Sequence, residues 1–152
     1  VLRVHAGILD GETFLFTNEK FNTYDHYPLV IAGAVRQGVI DLENPTNPVF
    51  TVGPQFVRLP IGMQGDFRGA IIILSSCFGL YTNSLAEAFV DKGAQAFISW
   101  NGNVGLGHTD TAALLLLKAL IENKLPIEQA VQTVMNQVGK DPIYGSTLSC
   151  YH

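Results

Sequence analysis

The sequence predicts an α/β fold with a mainly parallel central sheet, and three adjoining stretches carry this prediction. Residues 70–74 are a run of small and branched aliphatic residues, which suits a strand buried on both faces of a parallel sheet. A helical pattern at 84–92 and a second apolar strand pattern at 94–100 follow it. Strand, helix and strand in this order favour a right-handed crossover between parallel strands. Ligands of such sheets bind beyond the carboxyl ends of the strands.

The composition indicates one ordinary domain that spans residues 1–152. The chain is 47% hydrophobic and only 14% charged, and it is long enough to bury a sizeable core. Its net charge of −4, without any run of Lys or Arg, excludes the electrostatic surface that nucleic acid or an anionic membrane requires. No apolar run approaches the roughly 20 residues of a membrane span.

The two cysteines and four histidines show no spacing typical of a disulfide framework or a metal site. We therefore expect no metal and no cofactor. The chain starts at Val1 directly in a strand pattern, which indicates a processed product or a piece of a longer protein. This start and the low Lys and Glu content favour a location outside the cytoplasm.

Short strands and tight turns open the chain. Residues 1–5 form a strand pattern that runs into Ala6-Gly7, where we expect the backbone to turn. The Asp-Gly pair at 10–11 predicts the turn of a small hairpin, and the alternating pattern at 13–17 predicts a half-buried strand.

The segment between these strands and the central strand is weakly patterned. Residues 18–47 predict an excursion from the sheet, and the Asn-Pro pairs at 44–45 and 47–48 mark loops. A strand pattern at 49–52 and a loop at 62–69 then lead into the central strand.

The first predicted helix follows the central strand. Ser84 and Glu87 fit a capping box at its start, and Gly93 supplies its end. The glycine-rich loop at 101–107 follows the next strand, so we expect it to border the ligand crevice. This loop lacks the Lys-Ser/Thr pair of a phosphate-binding P-loop.

Two further helices and a last strand complete the predicted elements. One helix spans 111–123, with Thr109 or Asp110 as its cap. The other spans 126–139 and opens with a proline. The tail at 146–151 predicts a strand at the edge of the sheet, where we expect its cysteine to be structural.

Cys77 is the first candidate for chemistry, because it follows the central strand at its carboxyl end. A cysteine thiol is mostly protonated at neutral pH, so a nucleophilic role needs a nearby base or cation. His5 ends the first predicted strand and could supply that base. The alternative is a cysteine that packs as a small hydrophobic residue and a histidine that is structural.

Two blocks of the sequence resemble the signature of the caspase-like cysteine peptidases, a group that includes caspases, metacaspases, gingipains, clostripain, separase and CHAT domains. Residues 2–7 are a hydrophobic block that ends in His with a Gly nearby. Residues 71–79 are a second block that ends in two small residues, Cys, any residue and Gly. Residues 85–100 look like the corresponding run in CHAT and gingipain-type domains, and the resemblance covers residues 1–138.

The resemblance implies a three-layer α/β/α sandwich without the family's N-terminal strand and helix. It implies a cysteine endopeptidase that acts on peptide or protein substrates through an acyl-thioester. His5 would be the general base and Cys77 the nucleophile. Backbone N–H groups of Cys77 and of Ala6 or Gly7 would bind the oxyanion, although the family carries Gly where this chain has Ala6.

The resemblance also implies a substrate groove. Its predicted residues are Ser75, Ser99, Trp100, Asn101 and Asp110. Ser75 stands where metacaspase-type enzymes carry an acidic residue, so the preference for the cleaved residue stays open. Asp110 or Asp66 could supply a pocket carboxylate instead.

Two other functions remain open on the sequence alone. One is a catalytically inactive relative that serves as a scaffold or binding module. The other is a flavodoxin-like ligand-binding domain that holds an anion in the loop at 101–107 while Cys77 is merely buried. The open sheet edge left by the missing strand would pair with a separate N-terminal segment or with a second copy of the chain.

Overall fold

The computed structural model of the protein describes residues 1–40 and 45–152, so Asn44 of the first predicted Asn-Pro loop lies outside the described residues. The strands are β1 (Leu2–Arg3), β2 (Ala6–Leu9), β3 (Glu12–Lys20), β4 (Val35–Gly38), β5 (Val49–Val52), β6 (Ile71–Ser75), β7 (Ala96–Trp100) and β8 (Leu148–Tyr151). The α-helices are α1 (Tyr27–Ile31), α2 (Pro54–Arg58), α3 (Ser84–Asp91), α4 (Leu106–Leu117) and α5 (Ile127–Val138). A π-helical turn, Lys118–Glu122, continues α4.

One sheet is mainly parallel, and its strand order is β1-β6-β7-β8. β1 pairs with β6 and β6 with β7 in parallel, whereas β8 runs antiparallel to β7 at the edge. Helix α3 connects β6 to β7. The predicted α/β class, the central strand, the crossover and the edge strand at the C-terminal end are therefore confirmed.

A second, antiparallel sheet has the order β2-β3-β5-β4, and the sequence did not predict it as a separate sheet. Its first hairpin turns at Asp10 and Gly11, whose φ angles of 51° and 79° suit an Asp-Gly turn, so this predicted hairpin is confirmed. The predicted turn at Ala6-Gly7 is wrong, because both residues lie in β2 and pair with β3. The antiparallel ladder with β3 keeps the backbone extended at this point.

The core consists of two clusters on opposite faces of the parallel sheet. On one face, α4 and α5 pack against residues such as Ile73, Ile98 and Trp100. On the other face, Leu74 and Phe97 pack against α3, α2 and part of the antiparallel sheet. One face of the parallel sheet is thus covered by helices only, and the other is covered by helices together with the antiparallel sheet. The expected sandwich has helices on both faces and no second sheet.

One predicted helix cap and one predicted helix start are wrong. Ser84 does not cap α3: Asn83 holds the cap position, and the Ser84 hydroxyl lies 3.1 Å from that of Thr82. α4 begins at Leu106 rather than at residue 111. A tertiary contact stabilises the start of α4. The N–H of Gly105, the residue before the helix, donates to the carboxylate of Asp141, which lies much later in the chain.

The close approach of the segment after Cys77 to β7 depends on Gly79. A Cβ atom at Gly79 would overlap the hydroxyl of Ser99 and stand 2.6 Å from its Cβ. Ser99 is fully buried, and its hydroxyl donates to the Leu74 carbonyl at 2.7 Å, so it has no easy way to move. The glycine two residues after Cys77 therefore has a packing role.

We predict that Gly79→Ala lowers the free energy of unfolding by about 1–3 kcal/mol, because the added methyl overpacks this contact. Gly107→Ala is the matched control: it lies in α4 with open space around the added Cβ and should be neutral or stabilising by up to about 1 kcal/mol. Urea denaturation measures both variants. Equal stability of the two would contradict the close packing at Gly79.

Candidate functional site

The parallel pairing of β1 with β6 brings His5 and Cys77 together. Arg3 pairs with Ser75 in this register, and His5 and Cys77 each lie two residues beyond those partners. Both residues line one cavity of about 130 Å³. The remaining lining residues are Arg3, Val4, Ser75, Ser76, Val104, Leu106 and Thr109. The structure thus places the predicted pair at one site, at the carboxyl ends of parallel strands.

The sulfur of Cys77 contacts the glycine-rich loop. The Val104 N–H donates to Sγ at 3.4 Å, and Sγ lies 3.7 Å from the Val104 carbonyl. The loop therefore borders the cavity, as its position after β7 predicts. These two contacts fix the direction in which the thiol points.

A strained turn carries the chain past Cys77. Phe78 has a φ of 57°, a left-handed conformation that is uncommon for a bulky residue. Its N–H donates to the Gly102 carbonyl at 3.0 Å, and its carbonyl accepts the hydroxyl of the buried Thr13 at 2.6 Å. The surrounding structure thus holds the cysteine turn in a conformation that it would not adopt alone.

His5 joins the two sheets. It lies between β1 of the parallel sheet and β2 of the antiparallel sheet, and its carbonyl accepts the Phe16 N–H at 2.9 Å. The residue is exposed, and within residues 1–40 and 45–152 its ring makes no hydrogen bond. The imidazole is therefore free to turn towards a thiol.

The register of β2 distinguishes the two proposed oxyanion donors beside His5. Because Phe16 and His5 form a hydrogen-bonded pair, alternation along the antiparallel ladder makes Gly7 and Phe14 the next such pair. The Gly7 N–H is thus used by β3, whereas the Ala6 N–H faces away from it. Ala6 also has no positive φ, so an alanine fits this position without strain.

The predicted groove residues are not brought together as a group. Ser75 lines the cavity, but Ser99 and Trp100 are buried in the core and Asn101 lies outside the cavity. The Asn101 side-chain oxygen accepts the Thr147 N–H at 2.9 Å, which holds the tail of the chain. Ser99 and Trp100 thus lie at the end of β7 with their side chains buried, whereas Asn101 follows the strand and is exposed.

Charged groups at the rim of the cavity neutralise each other. The Arg3 guanidinium donates two hydrogen bonds to the Asp110 carboxylate, at 2.9 and 3.0 Å. Both residues are about half exposed. Asp66 lies elsewhere and pairs with Arg68 at 3.0 Å. Neither predicted carboxylate is an unpaired charge in the cavity.

Sequence reasoning missed two lining hydroxyls. Thr109 lines the cavity and is buried; its hydroxyl lies 2.8 Å from that of Ser75 and accepts the Trp100 indole N–H at 3.0 Å. Ser76 is buried as well. The small residues before Cys77 belong to a sequence motif, whereas no local pattern places Thr109 at this site.

Asp141 anchors the glycine-rich loop and was also missed. Its carboxylate accepts the Gly105 N–H at 2.8 Å and the N–H groups of Ile143 and Tyr144 at 2.9 and 2.8 Å. The bond from Gly105 is the main reason why the pKa of Asp141 is lowered; burial opposes it, and the other two amides and His108 add to it. The carboxylate thereby holds the loop that contacts Cys77.

Comparison with protein-family models, with curated proteins and with solved structures found no match. Over residues 1–40 and 45–152, no helix is long and apolar enough to cross a membrane. The same residues hold no cluster of three or more His, Cys, Asp or Glu side chains arranged for a metal ion.

We predict that Asp141 makes folding stability depend on pH in the acid range. Because its pKa is lower in the folded than in the unfolded chain, its contribution is present above the unfolded pKa and is lost as the pH falls through the folded pKa. Asp141→Asn should therefore be less stable than wild type at pH 7 and should lose less stability on acidification. Urea unfolding between about pH 7 and pH 3 measures this difference.

A matched control is Asp110→Asn, which removes an exposed carboxylate on the neighbouring helix. It should leave the glycine-rich loop in place, because the Gly105 N–H donates to Asp141 and not to Asp110. If Asp141→Asn has the same stability as wild type at every pH, the charged anchor of the loop is excluded.

Proposed function

We propose that the chain is a cysteine endopeptidase in which Cys77 is the nucleophile and His5 accepts its proton. The observation that carries this proposal is the shared cavity, which His5 and Cys77 both line just beyond the carboxyl ends of β1 and β6. A thiol in a cleft with an imidazole partner is the minimal arrangement for covalent acyl transfer.

The proposed reaction uses groups that border this cavity. His5 takes the thiol proton, the sulfur of Cys77 attacks the peptide carbonyl carbon, and the carbonyl oxygen becomes an oxyanion. The backbone N–H groups of Cys77 and Ala6 are the proposed donors to it; loss of one such donor typically costs about 100- to 1000-fold in rate. The imidazolium returns its proton to the leaving amine, and water then hydrolyses the thioester.

The finer fold assignment belongs to the same proposal. We assign the chain to a caspase-like architecture because the His strand adjoins the Cys strand and a crossover helix leads from the latter to the next strand. The antiparallel sheet inserted between β1 and β6 accounts for the long spacer between the two sequence blocks. A peptide or protein is the proposed substrate, and a separate segment or a second copy could pair with the exposed edge of β1.

The flavodoxin-like alternative is weakened by the contacts of the loop at 101–107. An anion there would need free backbone N–H groups, but the Gly105 N–H is bound by the carboxylate of Asp141. A second anion would face that negative charge. An inactive scaffold remains the main competitor, and it differs from the proposed enzyme in the reactivity of Cys77.

We predict that His5→Ala and Cys77→Ala each lower peptide hydrolysis by about 1000-fold or more, because the nucleophile and its base act as one unit. Cys150→Ala is the matched control and should retain wild-type turnover, since Cys150 lies in β8 away from the cavity. Turnover is measured on a mixed fluorogenic peptide library, and urea denaturation verifies the fold. Wild-type turnover in either dyad variant rejects the mechanism.

Alkylation with limiting iodoacetamide tests the thiol without a substrate. Burial, and then the nearby Glu128, raise the pKa of the Cys150 thiol, so Cys150 should label slowly until the pH is strongly alkaline. We predict that Cys77 labels at least about tenfold faster at pH 7 in wild type than in His5→Ala, whereas Cys150 labels at the same slow rate in both. Peptide mass mapping reads both sites, and equal labelling of Cys77 in the two proteins would favour the inactive scaffold.

A further inference from the structure

The outer edge of β2 is an open sheet edge that begins beside His5. β2 is the first strand in the order β2-β3-β5-β4, so it has a neighbour on one side only. Because His5 and Gly7 form hydrogen-bonded pairs with β3, the backbone N–H and C=O groups of Ala6 and Ile8 point away from that strand. Within the part of the chain that the structure describes, these four groups have no hydrogen-bond partner.

β2 also lacks the features that keep an open edge from pairing with another chain. Its sequence is Ala-Gly-Ile-Leu, without a charge or a proline, and its register with β3 is regular throughout. Ile8 is exposed. The opposite edge strand of the same sheet, β4, carries Arg36. Because charged residues, prolines and bulges are the usual protection of sheet edges, β2 is suited to strand addition.

The strand end that the resemblance assigns to the substrate is already paired. Trp100 pairs with Leu148 of β8, and the N–H of Asn101 donates to the Thr147 carbonyl at 3.1 Å. The Thr147 N–H in turn donates to the side-chain oxygen of Asn101 at 2.9 Å. A peptide along residues 99–101 would therefore have to displace the C-terminal strand, whereas a peptide along β2 displaces nothing.

We propose that the substrate residues before the scissile bond add to β2 as an extra antiparallel strand. The Ala6 N–H is the proposed donor to the oxyanion, so the first of these residues, whose carbonyl Cys77 attacks, lies opposite Ala6. In antiparallel pairing the third residue before the bond then lies opposite Ile8 and exchanges two hydrogen bonds with it. This inference rests on the proposed peptidase function.

The position and chemistry of β2 define what it binds. The strand starts at the residue after His5, so a peptide that lies along it keeps its attacked carbonyl beside the cavity. Strand addition reads the main chain, and it requires an extended substrate with a free N–H at the third residue before the bond. The second residue before the bond has its N–H turned away from β2. Its N–H is therefore not required.

Fluorogenic libraries test the substrate side. Acetylated peptides of mixed sequence carry one to four residues before an aminocoumarin amide, so nothing but the leaving group follows the scissile bond. We expect kcat/KM to rise by about tenfold from two residues to three, because the third residue adds two hydrogen bonds. An N-methyl group on the third residue should remove this gain, whereas on the second residue it should cost less than about threefold.

Ile8→Pro tests the strand itself, because proline removes an N–H that points away from β3 and leaves the ladder intact. It should lower kcat/KM for the three-residue library by about tenfold and leave the two-residue library unchanged. Gln37→Pro is the matched control. The Gly53 N–H donates to the Ala34 carbonyl, so alternation along β4 also turns the Gln37 N–H outwards. This variant should keep wild-type rates, and urea denaturation verifies both folds.

Amide hydrogen exchange locates the bound peptide without any substitution in β2. The four-residue library, as carboxamides, is added to Cys77→Ala, which cannot turn it over. We expect exchange at Ala6 and Ile8 to slow by about tenfold or more, because both amides become hydrogen-bonded, and exchange at Gln37 to stay unchanged.

The two kinds of readout distinguish failure of this inference from failure of the proposed function. Slowed exchange at Ile8 without hydrolysis of any library upholds the strand addition and rejects the peptidase. Hydrolysis with equal rates in Ile8→Pro and Gln37→Pro overturns the strand addition and leaves the peptidase standing. Slowed exchange at Asn101 instead of Ile8, or at neither residue, also overturns the strand addition.

Discussion

The site depends on a very short parallel pairing, because only Leu2 with Leu74 and Arg3 with Ser75 join β1 to β6. Two pairs are a small contact for a strand at the edge of a sheet. The antiparallel ladder of β2 with β3 supports it, since the His5 carbonyl accepts a hydrogen bond from that ladder. His5 is thus held from both sides, and its position relative to the Cys strand follows from two sheets rather than from one.

The strands and helices with strong local patterns could be predicted from the sequence. The aliphatic run of β6 and the regular apolar face of α5 each mark their element within one window of residues. The antiparallel sheet could not be predicted in the same way. Ala6 and Gly7 look like a turn by composition, and only their pairing with β3 makes them a strand. Tertiary pairing overrode local propensity there.

The residues of the candidate site also fall into two groups, those that the sequence could predict and those that it could not. Cys77 and His5 could be named because each ends a predicted strand, and adjacent parallel strands end at the same edge. The polar residues around them could not, because Thr109 and Asp141 reach the site through contacts between segments distant in the chain. Trp100 was predicted to line the groove and ends a strand at this edge, but its side chain is buried in the core.

The strain at Phe78 gives the cysteine turn a physical explanation. A left-handed bulky residue is unfavourable, and here Thr13 and Gly102 bind its carbonyl and its N–H while Gly79 packs against β7. Each restraint comes from a different part of the fold, so the turn cannot relax unless the sheets separate. The fold therefore holds the thiol of Cys77 in one position, and under the proposed mechanism preorganisation of this kind would lower the cost of reaching a reactive geometry.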